Sequence, residues 1–233
     1  MNLEGAKVLI TGGSLGIGKA TAELLSEKGA QLAITGRKME RLRPVAEKTN
    51  AVAIEADIAN PKDVEELWEV YHRKFDGLDV LINNAGIGKG REVDQVTRED
   101  LDEVFSVNVH GAAMMAKEAS KIFKEQESGN IINIGSTAGR SGYPRGSIYC
   151  ASKFALRGMT ECWRAELRPF NVRVMLVNPS QVATAMGNPE REEREAEANK
   201  LRSNEIAHTI ASLLEMDDRG FIPNTEIWAT NPW

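Results

Sequence analysis

The fold class predicted for this sequence is α/β, a doubly wound, mostly parallel sheet of about seven strands in a Rossmann-type arrangement. Three observations predict it. Short apolar runs rich in β-branched residues recur along the chain with helical stretches between them. These runs are nearly continuous instead of alternating apolar with polar, as burial on both faces of a parallel sheet requires. A glycine-rich turn follows the first run where a helix opens, the arrangement that starts a nucleotide-binding βαβ unit.

The strands are expected at residues 8–10, 32–35, 51–55, 80–82, 131–134, 172–177 and 226–229. The first helix should run from about Ile17 to Lys28 and stop at Gly29, which accepts the left-handed conformation common just past a helix end. A later helix should start at Asn60-Pro61, an N-cap residue followed by proline at the first helical position. No internal repeat, low-complexity tract or linker marks a boundary, so residues 1–233 read as one domain, with a short charged segment near 185–203.

The chain is 42% hydrophobic, enough apolar material for a continuous core, and its formal charge of -5 comes without any dense basic stripe, which argues against a nucleic-acid partner. Cys150 and Cys162 form no Cys-x-x-Cys pair and the three histidines do not cluster, so neither a disulfide framework nor a zinc site is expected. No apolar run approaches the ~20 residues of a membrane span, and no signal sequence precedes the first strand; a cytoplasmic protein is the expectation.

The turn reads Thr11-Gly12-Gly13-Ser14-Leu15-Gly16-Ile17-Gly18. Glycines at 12, 16 and 18 would let the backbone turn tightly, approach a pyrophosphate through main-chain N–H groups and pack the helix on the sheet. Further along, Tyr149 and Lys153 stand four residues apart, sharing one face of a helix. An ammonium about 5 Å from the phenol would favour phenolate by roughly 3 kcal/mol, bringing a group that titrates near 10 down to about 7 to 8. Ser136 lies at the end of the strand 131–134, on the ligand-binding edge of such a sheet, where its hydroxyl can hold a carbonyl oxygen.

The glycine turn, Asn83-Asn84-Ala85-Gly86, Asn108 in Val107-Asn108-Val109, Ser136 and the Tyr149/Lys153 pair occur in the order that makes the chain resemble the short-chain dehydrogenase/reductase family over about residues 5 to 184. That resemblance implies hydride transfer between a nicotinamide and a carbonyl or alcohol, with Tyr149 as acid/base, Lys153 tuning it and holding the nicotinamide ribose, Ser136 orienting the carbonyl oxygen, and Asn108 holding a water that links Lys153 to solvent. It assigns cofactor contacts to Gly12, Ser14, Leu15, Gly16, Ile17, Gly18, Asn84, Ala85, Gly86, Tyr149, Lys153, Pro179, Val182 and Thr184, and places Asp57 and Ile58 beside the adenine. Asp57 also reads as helix-start chemistry ahead of Asn60-Pro61. The substrate would be a small molecule and the assembly a homodimer or homotetramer, paired through the helices around Asn108 and Tyr149.

The position that would carry an acid to hold the ribose of NAD(H) is Gly36, followed by Arg37 and Lys38. A guanidinium clamps a phosphate bidentately, so NADP(H) is preferred and NAD(H) remains possible; a solvated basic helix start is the competing reading of Arg37. Departures from the family pattern are Leu15 where many NADP-using relatives carry a basic residue, Ser180 in place of the glycine that usually follows Pro179, and a chain end at Pro232-Trp233 unlike the usual Val-Asp-Gly-Gly. By the same resemblance residues 185–203 occupy the place of the substrate lid, short and charge-dense; the run 190–197 within them reads as a solvated helix face or a mobile lid, Arg140, Tyr143 and Arg145 as a solvated loop or an anion-attracting mouth, and Trp163 as interface or core. The rival functions are an NAD-using dehydrogenase of the same family, a sugar-nucleotide epimerase, for which the chain is short, and a non-catalytic NADP(H)-binding regulator.

Overall fold

The computed structural model of the protein describes residues 1–186 and 199–231. Its elements are β1 (Lys7–Thr11), α1 (Gly16–Glu27), β2 (Gln31–Gly36), α2 (Met39–Thr49), β3 (Val52–Glu55), α3 (Pro61–Lys74), β4 (Val80–Asn83), α4 (Arg98–Phe105), α5 (Ala112–Gln126), β5 (Gly129–Ile134), α6 (Ser147–Leu167), β6 (Val172–Pro179), α7 (Ser203–Glu215) and β7 (Asn224–Ile227). The seven strands form one sheet in the order β3-β2-β1-β4-β5-β6-β7, and every neighbouring pair is parallel. The order reverses between β1 and β4, which opens a crevice at the carboxyl ends of the strands.

Continuous apolar strands follow from helices on both faces. Val8 and Ile10 point into a core with Leu25 of α1 and Ile206 and Ile210 of α7, while Leu9 between them enters a second core with Trp68 and Tyr71 of α3 and Phe123 of α5. Val80 and Ile82 of β4 join the first core and Leu81 the second, by the same period of two. Trp163 is partly buried against the second core.

Gly29 has φ +84, as its place after α1 predicts. Asn60 caps α3 by accepting from the Lys62 N–H at 3.1 Å. Asn108 lies in a six-residue π-helical stretch, Ser106–Gly111, which joins α4 to α5.

The last strand corrects the sequence expectation. It occupies Asn224–Ile227 instead of 226–229, because its register is set by pairing with β6, from Leu176↔Asn224 to Pro179↔Ile227. Trp228, expected inside the strand, is 62% exposed. The helix-or-lid run at 190–197 lies outside the described residues.

Candidate active site

The glycine turn is stitched to the turn after β4. The Thr11 hydroxyl accepts from the backbone N–H groups of Asn84 and Ala85, each at 3.0 Å, and the Asn84 amide donates to the carbonyls of Thr11 at 2.9 Å and Gly12 at 3.1 Å. Closeness explains the glycines. Gly12 has φ +65, and a Cβ there would lie 2.9 Å from Ala85 Cα. A Cβ on Gly18 would lie 2.3 Å from the Gly12 carbonyl oxygen and 2.5 Å from the Asn84 amide nitrogen. Leu15 at the N-cap of α1 offers no side-chain acceptor and the first turn carries no acid, which leaves the positive end of the helix dipole facing the crevice.

A cavity of about 510 Å³ fills this crevice. Twelve of the expected cofactor residues line it: Gly12, Ser14, Leu15, Gly16, Ile17, Arg37, Asp57, Ile58, Asn84, Ala85, Gly86 and Thr184. Gly18 lies beneath the loop, Pro179 ends β6, and Val182 bridges to Leu201; these three, with Tyr149 and Lys153, do not line it. The Asp57 carboxylate accepts from the Ala59 N–H at 3.0 Å in a helix-start turn, and the residue also lines the cavity.

Sequence reasoning missed Thr35, Lys38, Arg41 and Met186, which also line the cavity, and the Thr11 tie. Lys38 and Arg41 carry a signal after the fact, as basic residues just beyond Arg37 at the end of β2. Glu55, the acid at the end of the neighbouring strand, accepts from the Met39 N–H, so its carboxylate is committed to the start of α2.

Four groups converge near the end of β5. Ser136 hydrogen-bonds the Tyr149 phenol, its backbone N–H donates to Asn178 Oδ1 at 3.2 Å, and its hydroxyl accepts from the Ala138 N–H at 3.1 Å. Lys153 is 3% exposed, and its ammonium donates to the Ile134 carbonyl at 2.8 Å and lies 5.7 Å from the Tyr149 ring centroid. The Asn108 amide donates to the Ile87 carbonyl at 2.9 Å and to Ser152 Oγ at 3.0 Å, and its oxygen accepts from the Ile87 N–H at 2.9 Å. Ser152 in turn donates to the Tyr149 carbonyl at 2.7 Å. The Asn108 side chain thus clasps the loop after β4 to the helix that carries Tyr149 and Lys153.

The electrostatics reverse the sequence expectation for Tyr149. Burial pushes the phenol up to about 12, against the lowering effect of the Ser136 hydrogen bond and with smaller upward contributions from Tyr143 and Cys150. Burial also drives the Lys153 ammonium down to about 8. The Coulomb argument from helical spacing omitted desolvation, which opposes charge on both groups and wins here. The phenol therefore stays protonated through the neutral range and stands ready as an acid.

The shift on Lys153 has a stability consequence. Its folded value lies below its unfolded one, so the buried ammonium costs the fold about 3 kcal/mol below pH 8. Between pH 8 and 10.5 the unfolded chain binds more protons, and stability rises with pH until the cost is gone. Urea unfolding of wild type and Lys153→Met should show the wild type gaining roughly 2–3 kcal/mol on the variant between pH 7 and pH 10. A difference that stays flat over that interval would contradict the desolvation of Lys153.

Where the family pattern weakens at Ser180, its N–H donates to the Ile227 carbonyl at 2.8 Å and extends the β6–β7 pairing by one residue. The model describing the short chain dehydrogenases matches residues 6–195. An oxidoreductase of Thermotoga maritima is 36% identical over 184 residues, 77% of this chain and 72% of that protein. An oxidoreductase of Sarocladium schorii is 30% identical over 97% of this chain and 94% of its own. Among solved structures, the 3-ketoacyl-(acyl-carrier-protein) reductase of Brucella melitensis complexed with NADH superposes with TM-score 0.90 at 28% identity, covering 99% of this chain and 100% of the other. A metagenomic short-chain oxidoreductase in complex with NADP gives 0.85 at 27% identity, with 97% and 98% covered.

Proposed function

The chain belongs to the short-chain dehydrogenase/reductase family of oxidoreductases, and on that footing we propose that it is an NADP(H)-dependent carbonyl reductase/alcohol dehydrogenase with Tyr149 as its acid/base. The observation that carries the proposal is the convergence of Ser136 and the protonated Tyr149 phenol, with Lys153 buried behind them, in a fold whose glycine-lined crevice fits a dinucleotide.

The crevice fits on its own geometry. A Cβ at Gly12 or Gly18 would collide with the two turns that form the cradle, and the dipole of α1 would face a phosphate bound there. A nicotinamide bound there supplies the hydride. Tyr149 gives its proton to the carbonyl oxygen as the alkoxide forms and takes one back in alcohol oxidation. Ser136 holds that oxygen, with its own backbone fixed by Asn178. Lys153 keeps a positive charge behind the phenol, and the Asn108–Ser152 clasp holds α6 in place.

Support for NADP(H) over NAD(H) is the cluster of Arg37, Lys38 and Arg41 with Ser14 on the cavity wall, next to Gly36 where an acid would repel a 2′-phosphate. Fluorescence titration should show NADPH binding roughly tenfold to hundredfold more tightly than NADH, with Arg37→Ala removing most of the difference. Equal affinities would turn the preference back to NAD(H). Binding of NADPH without turnover of any carbonyl compound would instead favour the regulator. Residence in the cytoplasm and self-association are part of the same proposal; Met114 on α5 and Phe154 on α6 are exposed apolar side chains on the helices that would pair.

A further inference from the structure

The chain that leaves β4 has no apolar anchor of its own. From Gly88 to Glu103 the one buried residue is a carboxylate, Asp100, in the first turn of α4 and 4% exposed. It gathers two cations from the loop ahead of it. Lys89 Nζ lies 2.7 Å from Oδ1, and the Arg91 guanidinium donates from Nε to Oδ2 at 2.8 Å and from Nη2 to Oδ1 at 3.4 Å. Lys89 also pairs with Glu103 on the same helix. The Arg91 hydrogen bond, and after it that of Lys89, hold the Asp100 carboxyl well below the usual carboxylate range, so the clasp stays charged through the neutral range.

The clasp holds a stretch that runs beside the reacting groups. A Cβ on Gly86 would lie 3.2 Å from Asn108 Oδ1 and 3.6 Å from Lys153 Nζ, and one on Gly88 would lie 3.8 Å from the Tyr149 ring and from Met186. Three side chains fix this stretch. Asn84 ties its start to the glycine turn, Asn108 holds both the N–H and the carbonyl of Ile87, and Asp100 holds Lys89 and Arg91. The loop residues that line the dinucleotide crevice end at Ile87, before the clasp. Gly88 therefore lies between the second anchor and the third, with no side chain to hold it.

We propose that Asp100 is a positioning residue for the reaction, holding Gly88 against Tyr149 through Lys89 and Arg91. The inference rests on the carbonyl-reductase reading above. Asp100 touches none of the reacting groups and acts only through the two cations. Without its charge they gain nothing by staying against α4, and glycines at 88 and 90 leave the backbone around Lys89 free to swing. A carbonyl within reach of Tyr149 would then meet a moving wall and lose orientation. Cofactor binding, whose contacts in this loop stop at Ile87, should not depend on the clasp.

Asp100→Asn removes the charge and keeps the size. With saturating NADPH and ethyl 3-oxobutanoate as the probe, KM for the ketone should rise roughly tenfold, while the NADPH dissociation constant stays within about twofold of wild type. Amide hydrogen exchange over residues 86–91 should quicken roughly tenfold in the same variant. Lys89→Met and Arg91→Met, which each leave Asp100 one partner, should each raise KM roughly threefold, and adding Asp100→Asn to the pair should bring no further loss, because all three act through one contact. Unchanged KM or unaltered exchange in Asp100→Asn overturns the inference. So does a loss of NADPH affinity in step with the rise in KM, which marks a general defect of the fold. Failure of the wild type to reduce the probe while it binds NADPH overturns the carbonyl-reductase reading itself, and the inference with it.

Discussion

Tyr149→Phe should lower kcat for carbonyl reduction by roughly 10³-fold while leaving NADPH affinity unchanged. The substitution removes one oxygen from a side chain that does not line the cofactor cavity. It keeps the ring against Lys153 and deletes only the group that the proposed reaction protonates and deprotonates. Ser136 retains its hydrogen bond from the Ala138 N–H, so the fold should lose only about 1 kcal/mol with the missing phenol contact. Because the phenol is held up at about 12, wild-type reduction should be flat through the neutral range, whereas alcohol oxidation should climb with pH as the base form becomes available. Stopped-flow hydride transfer in both directions checks this, and a variant that keeps wild-type turnover would remove Tyr149 from the acid/base role.

Gly18→Ala should be the most damaging change to cofactor binding. The added methyl would sit 2.3 Å from the Gly12 carbonyl oxygen and 2.5 Å from the Asn84 amide nitrogen, so neither the glycine turn nor the turn after β4 can stay in place. Asn84 ties those two turns together, and the clash is therefore felt on both walls of the crevice. Overpacking of this kind costs roughly 1–3 kcal/mol of stability, and displacement of the turn should weaken NADPH binding by roughly a hundredfold or more. Gly158→Ala is the matched control, since a Cβ there meets nothing within 4 Å, and alanine in the interior of α6 should stabilise it by about 0.5–1 kcal/mol. Calorimetric titration of both variants decides the matter; an unaltered NADPH affinity in Gly18→Ala would show that the turn does not cradle the cofactor.

Much of the architecture was legible because it rests on local signals. Strand runs such as that in β1 are continuous since both faces of each strand are covered, and the glycines at 12 and 16 announce φ values of +65 and +54 that other residues rarely adopt. Asn60-Pro61 marked the start of α3 through cap chemistry contained within three residues. β7 was misplaced by two residues because edge-strand apolarity is a poor guide to register, which pairing with β6 decides.

By itself, then, the sequence determined the order of strands and helices, the glycine turn and the presence of Asn108, Ser136, Tyr149 and Lys153, since each depends on backbone conformation or spacing within a short stretch. Tertiary structure alone decided the properties that depend on burial and on partners far along the chain. It set the protonation of Tyr149 and Lys153, where loss of water outweighs the attraction between neighbours. It joined Thr11 to Asn84 across 73 positions, and it matched Arg140 to Glu226 across 86. Spacing shows which charges exist, but only packing shows which of them face water, a counter-ion or the site.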